Sequence, residues 1–173
     1  MESVRSLLAD RGAAGIEHPG GTLLAHLDRV EAKLRAWGVR PALAQAGLCH
    51  AFYGTDGFRL ALADLSERAL LASVVGAEAE ELVYFYCACD RSFSYPGVAQ
   101  GGPYRDRFTR EVFVPSPEML SDFVELTVAN ELDLVEISAK FREACGPGFQ
   151  ELFGGWSGVM SERAWAECVR VLG

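Results

Sequence analysis

Between Pro41 and Tyr53 the chain reads PALAQAGLCHAFY, a stretch that is apolar on nearly every side once wound into a helix. A helix with no face to offer water belongs in the interior, and the remaining elements have to wrap it. Its imidazole, His50, is thereby carried to the middle of the fold. The turn that follows, Gly54-Thr55-Asp56-Gly57, supplies a hydroxyl and a carboxylate beside it.

The neighbouring segments read as further helices. From Thr22 to Trp37, Leu23, Leu27, Val30, Leu34 and Trp37 form one stripe, and His26 flanks it. Gly38 ends that helix, and Pro41 opens the buried one at a position where its missing N–H costs little. A first helix is expected over Glu2–Asp10, followed by a loop, Gly12–Gly21, that holds His18. Asp64 and Glu67 cap a helix through Val75, and Glu78–Cys89 forms another that ends at Asp90-Arg91. Ser116-Pro117-Glu118 starts a long helix expected to reach Glu143 and stop before Gly146-Pro147. On it Asn130 faces the interior, while the pattern gives Glu131 and Asp133 no definite side. Phe149–Phe153 and Ser161–Leu172 bring the total to about seven helices with no expected strand pair, hence an all-α class: one helical bundle forming a single domain over residues 1–173.

Ser92–Pro115 is the long loop of this reading, with Phe108–Val114 extended. Its arginines, with Arg91, admit two interpretations. Arg91, Arg105, Arg107 and Arg110 either form a lid over an anionic ligand or pair with Asp90, Asp106 and Glu111 at the surface.

Charge limits the partners. Fourteen Arg and two Lys stand against 24 acids, a net charge of −8, which excludes a general phosphate-binding surface and with it nucleic acid as the expected partner. No apolar run is long enough for a bilayer, and Met1–Arg11 is a short amphipathic piece rather than a signal peptide, so the expectation is a cytoplasmic protein without a membrane partner. Cys49, Cys87, Cys89, Cys145 and Cys168 are odd in number and include no C-x-x-C, so free thiols are expected, not disulfides or structural zinc. Oligomeric state leaves no signature here.

All three histidines fall in the first third of the chain. His26 and His50, on consecutive helices, are the candidate catalytic pair, because imidazole alone titrates near neutral pH and serves as general acid or base without assistance. The bland alternative is two core histidines bonded to backbone. Candidate substrate-binding residues are His18, Tyr53, Thr55 and Asp56 near the pair, Asp90 and Arg91 at the end of another helix, and Asn130. Arg91 offers a guanidinium for two-point contact with an anion. No metal-ligand set and no cofactor motif is read from the residues. The expected function is therefore general acid–base chemistry on a small, anionic metabolite, with isomerase, lyase, cyclase and hydrolase left open, and a ligand-sensing module as the non-catalytic alternative.

The order His26, His50 after 24 residues, the acidic helical pair Leu62–Cys87 and the segment VANELD, Val128–Asp133, resembles the HD-domain architecture. It is similar in particular to the hydrolase domain of the bacterial guanosine-tetraphosphate enzymes, the RelA/SpoT group. That resemblance implies an HD-like helical bundle in which two histidines, an Asp directly after the second, and a distant Asp hold a divalent metal. Here Ala51 and Asn130 stand at the two Asp positions, so what carries over is the fold and the imidazole pair without a required metal. A metal-dependent hydrolase or oxygenase, with ions held by residues such as His18, His26 and His50, is the remaining alternative. The chain also resembles a set of small proteins with His-Pro-Gly, His, His-x-x-Tyr-Gly-Thr and Asp-Arg in order. The matching residues here are His18-Pro19-Gly20, His26, His50, Tyr53-Gly54-Thr55 and Asp90-Arg91, and that likeness attaches no activity.

Overall fold

The computed structural model describes residues 3–173, so Met1 and Glu2 of the expected first helix lie outside the described residues. Nine α-helices are present among these residues, with two small two-stranded sheets, and the class is all-α. Helix α1 covers Val4–Asp10 and is capped by Ser3; α2 is Leu23–Trp37, capped by Thr22 and closed by Gly38 in the left-handed conformation. Helix α3 is Pro41–Cys49, α4 is Arg68–Val75 and α5 is Ala77–Cys87. The short α6, Arg91–Ser94, precedes α7 (Pro117–Ile137), α8 (Ala139–Trp156) and α9 (Glu162–Leu172).

Two apolar cores share the molecule. One gathers α1, α3 and α4 around Leu8, Leu48, Phe52 and Leu71; the other gathers α8 and α9 around α7 through Phe123, Leu132, Phe153 and Trp156. Helices α2, α3 and α7 meet where the two cores join. The approach of α3 to α2 depends on Gly47, where a Cβ would stand 2.4 Å from Leu34 Cδ1.

Several expectations need correction. The buried helix α3 ends at Cys49 rather than Tyr53, with His50 as its C-cap. The long helix does not reach Glu143: Ser138 ends α7 and caps α8 by accepting the Phe141 N–H. Pro147, expected to stop a helix, lies inside α8, which is anchored on the core by Phe153 and Trp156 and tolerates one lost donor there.

The segment 92–115 is built structure instead of a loose loop. It contains α6, a 3-10 helix over Tyr95–Gln100, and an antiparallel hairpin of β3 (Tyr104–Arg105) with β4 (Val112–Phe113). Two of its arginines are committed within the fold. Arg105 pairs with Asp90 at 3.3 Å, and Arg107 donates to the carbonyls of Cys87 at 2.8 Å and Gly54 at 3.1 Å. A second hairpin, β1 (Glu17–His18) with β2 (Gly21–Thr22), turns through Pro19-Gly20, where Gly20 has φ +81° and lies so close to Ile137 that a Cβ would stand 2.4 Å from its Cγ1. Only glycine satisfies both conditions, and the turn holds His18 over α2.

Helix α7 is the second interior helix, exposed only toward its two ends. Asp122 through Val135 are all buried, so its acids cannot reach water and each needs a partner. Asp122 accepts from Arg40 at 2.5 Å, Glu125 from the Ser161 N–H, Glu131 from Arg91, and Asp133 from Arg29 and His26. No helix among the described residues is long and apolar enough to cross a membrane.

Candidate functional site

The geometry of the imidazole pair follows from where α3 stops. A helix end leaves its last carbonyls without N–H partners, and the Gly47 carbonyl is one of them. His50, three residues on, turns its ring back and donates from Nδ1 to that oxygen at 2.7 Å. Its Nε2 is thereby left as a bare acceptor. On α2, His26 Nδ1 donates to Asp133 Oδ2 at 2.6 Å, and Asp133 is in turn clamped by Arg29 Nε at 2.7 Å and Nη2 at 2.9 Å. Residues three apart on a helix share a face, so α2 presents His26 and Arg29 to the matching pair Asn130 and Asp133 on α7.

The remaining nitrogen of His26 is the focus. His26 Nε2 stands 3.3 Å from His50 Nε2 and 2.9 Å from Asn130 Oδ1. If both rings were neutral, with their Nδ1 protons committed as above, two lone pairs and an amide oxygen would face one another. One proton on His26 Nε2 turns these contacts into hydrogen bonds, balanced by the Asp133 carboxylate behind the ring. His18 stacks on His26 with centroids 4.3 Å apart, and Tyr86 packs edge-on to His50.

His18, His26, His50 and Asn130 line a cavity of about 270 Å³ together with Thr55, Arg91, Glu131 and, on the apolar side, Phe58, Phe141 and Phe149. Of the sequence candidates, His18, His26, His50, Thr55, Arg91 and Asn130 come together here. Three do not. Tyr53 donates its hydroxyl to Glu80 at 2.8 Å, in a network with Arg68, because α3 has already ended and the chain has turned away. Asp56 accepts the Arg91 N–H at 3.0 Å and pairs with Arg59; Asp90 caps α6 through the Phe93 N–H. Both carboxylates brace the wall without lining the cavity. Arg91 Nη1 donates to Glu131 Oε1 at 3.1 Å.

Asp133, Arg29 and Glu131 are the partners that sequence reasoning did not assign. The signal was present: apolar residues lie all around the middle of α7, which leaves Asp122, Glu125, Glu131 and Asp133 no exposed face. Among the cysteines, Cys49, Cys87, Cys89 and Cys168 are buried, and burial pushes Cys87, Cys89 and Cys168 up to about 12. Cys145 is the partly exposed one and borders the cavity.

The site carries a pH signature. Burial, and then the neighbouring His26, push His50 down to about 3 and His18 down to about 4. In the unfolded chain both titrate near ~6.5, so between those values the unfolded state binds protons that the folded state refuses, and stability falls as pH drops below ~6.5. Burial alone would raise Asp133, but hydrogen bonds from His26 and Arg29 outweigh it and hold the carboxyl below its usual range. Its contribution is intact above ~4 and is lost only at lower pH. The melting temperature is thus expected to decline from about pH 7 to about pH 5, in the histidine window. A flat profile across that range would contradict neutral burial of His18 and His50.

Comparison with known proteins adds one match. A family model described as Domain of unknown function (DUF6817) matches residues 7–91, slightly under half of the chain, a span that includes all three histidines and Arg91 and ends before α7. No curated protein and no solved structure matches the chain.

Proposed function

We propose that this chain is a small-molecule enzyme of HD-like helical architecture in which His26 and His50 perform general acid–base chemistry on a small anionic metabolite. The observation that carries the reading is the contact between the two Nε2 atoms inside a cavity, with each ring's other nitrogen already committed. Asp133 fixes the His26 tautomer, Arg29 fixes Asp133, and Nε2 of His26 is the atom that gives or takes the proton. Between turnovers that proton stays on His26, and His50 Nε2 accepts its hydrogen bond. Such a positioned imidazole contributes about 10²–10⁴ in rate.

The HD resemblance implies a divalent metal, so the donor set matters. A spacing of 3.3 Å suits two nitrogens bound to one ion, but the third donor is an amide, and no carboxylate completes the set. Asp133 lies on the far side of the His26 ring, and Glu131 is committed to Arg91. Among the described residues no group of three or more His, Cys, Asp or Glu is arranged to hold an ion. Two neutral imidazoles and an amide do not fit a site that needs anionic ligands, and no step is assigned to a metal. Elemental analysis of protein purified without chelator is expected to find well under one equivalent of iron, manganese or zinc. A stoichiometric metal lost in His26→Ala would overturn this and favour the metal-dependent alternative.

The acid–base reading is tested by incubating the protein with panels of carboxylated and phosphorylated metabolites and following mass changes. Conversion by the wild type that His50→Gln abolishes, with ligand-induced thermal stabilisation retained, supports the enzyme. Binding without conversion in any form, wild type included, supports the sensor module instead.

A further inference from the structure

The cavity has two unlike walls. The polar wall comes from α2, α3, α6 and α7 as His26, His50, Arg91 and Asn130; the apolar wall is Phe58 with Phe141 and Phe149 of α8, whose rings lie 6.0 Å apart. Arg91 is the one Lys or Arg among the lining residues. Its guanidinium spends a single N–H on Glu131, at 3.1 Å, and its other four donors have no acceptor among the described residues. The residue is fixed at its backbone, and its guanidinium is flanked on two sides. Its backbone N–H is tied to Asp56, Gly57 packs so closely that a Cβ would stand 2.7 Å from Nη1, and the Tyr95 ring lies 5.8 Å from the guanidinium carbon.

We propose that Arg91 is the carboxylate-binding residue of this cavity and that its ligand is a small monocarboxylate with an aromatic or branched apolar body lying against Phe58, Phe141 and Phe149. The planar fork of uncommitted donors matches a carboxylate's two oxygens. A single guanidinium, already part-compensated by Glu131, suits one negative charge and not the two of a phosphate monoester. Glu131 acts as a resident carboxylate that holds the guanidinium in position while leaving its other edge open. The inference rests on the cavity being the working site, as in the proposed function, but not on any acid–base step within it.

Calorimetric titration of the full chain with 3-phenylpropionate, 3-phenylpropanamide, acetate and phenyl phosphate tests the assignment. The propionate is expected to bind about tenfold or more tighter than its neutral amide, the difference a charge-assisted hydrogen bond supplies, and tighter than acetate, which lacks the ring. Glu131→Gln, which removes the competing charge, is expected to tighten propionate binding by about fivefold or more. Gly57→Ala keeps every charge but pushes the guanidinium aside, and should weaken binding by about tenfold. Because Arg91→Gln alone leaves Glu131 buried without its partner, the double variant Arg91→Gln/Glu131→Gln is the one used to remove the site. Its folding is checked by melting temperature, and it should lose the preference for propionate over amide. Equal binding of propionate and amide, a preference surviving in a folded double variant, tighter binding of phenyl phosphate, or no binding of any probe would each overturn the proposal. Propionate binding that survives in His50→Gln, with no conversion of any substrate, would uphold this inference while the catalytic reading failed.

Discussion

His26→Gln is expected to abolish most turnover, by about 10²–10⁴-fold, while leaving a folded protein. The side chain is 1 % exposed and similar in size to its replacement, and Asp133 keeps its two bonds from Arg29, so no buried charge loses its partner. What disappears is the one nitrogen that faces His50, Asn130 and the cavity together. Glutamine can donate to Asp133 but carries no group that exchanges a proton near neutral pH. Kinetics on a converted substrate, with melting temperature measured in parallel, give the answer. Turnover within a few-fold of wild type in a folded variant would remove His26 from the chemistry.

Asp133 has the largest expected effect on stability, and two substitutions separate its roles. Asp133→Ala removes the acceptor of both His26 and Arg29 and should cost about 3 kcal/mol, the lower end for breaking a buried ion pair. The lower end applies because the Arg29 side chain is 30 % exposed and can return its charge to water, whereas Asp133 is 5 % exposed. Urea denaturation measures this, and a loss below about 1 kcal/mol would show that the carboxylate does not hold α2 to α7. Asp133→Asn keeps the shape but replaces a carboxylate with an amide that no longer enforces the Nδ1–H tautomer or balances a proton on Nε2. The equivalent exchange in a carboxylate–imidazole pair costs about 10⁴ in rate, and a loss approaching that is expected here with the fold retained.

Much of the scaffold was legible because local chemistry decides it. Ser116-Pro117 opens α7, Gly38 closes α2, Ser161 caps α9, and the apolar run of α3 is interior as its composition demands. The site was legible only in part. His26 and His50 could be paired from their consecutive helices, and Arg91 from its place at a helix end. Asp133 could not be placed with the same rule, since an acid on a helix ordinarily faces water. Its burial follows from α2, α3 and α5 packing on α7 as well as α8 and α9, a tertiary fact visible in sequence only as apolar residues on every side of that helix. Tyr53 failed for a local reason: Phe52 and Gly54 already make turn hydrogen bonds to Cys49 and Ala51, so the ring sits beyond the helix and meets Glu80.

Cys145 gives the cavity a built-in reporter. The other four thiols are enclosed, so an alkylating dye has a single address, beside Phe141 and Phe149 on the apolar wall. The rate of labelling then gauges occupancy directly, and ligands can be ranked by how well they shield that sulfur before any reaction product is known.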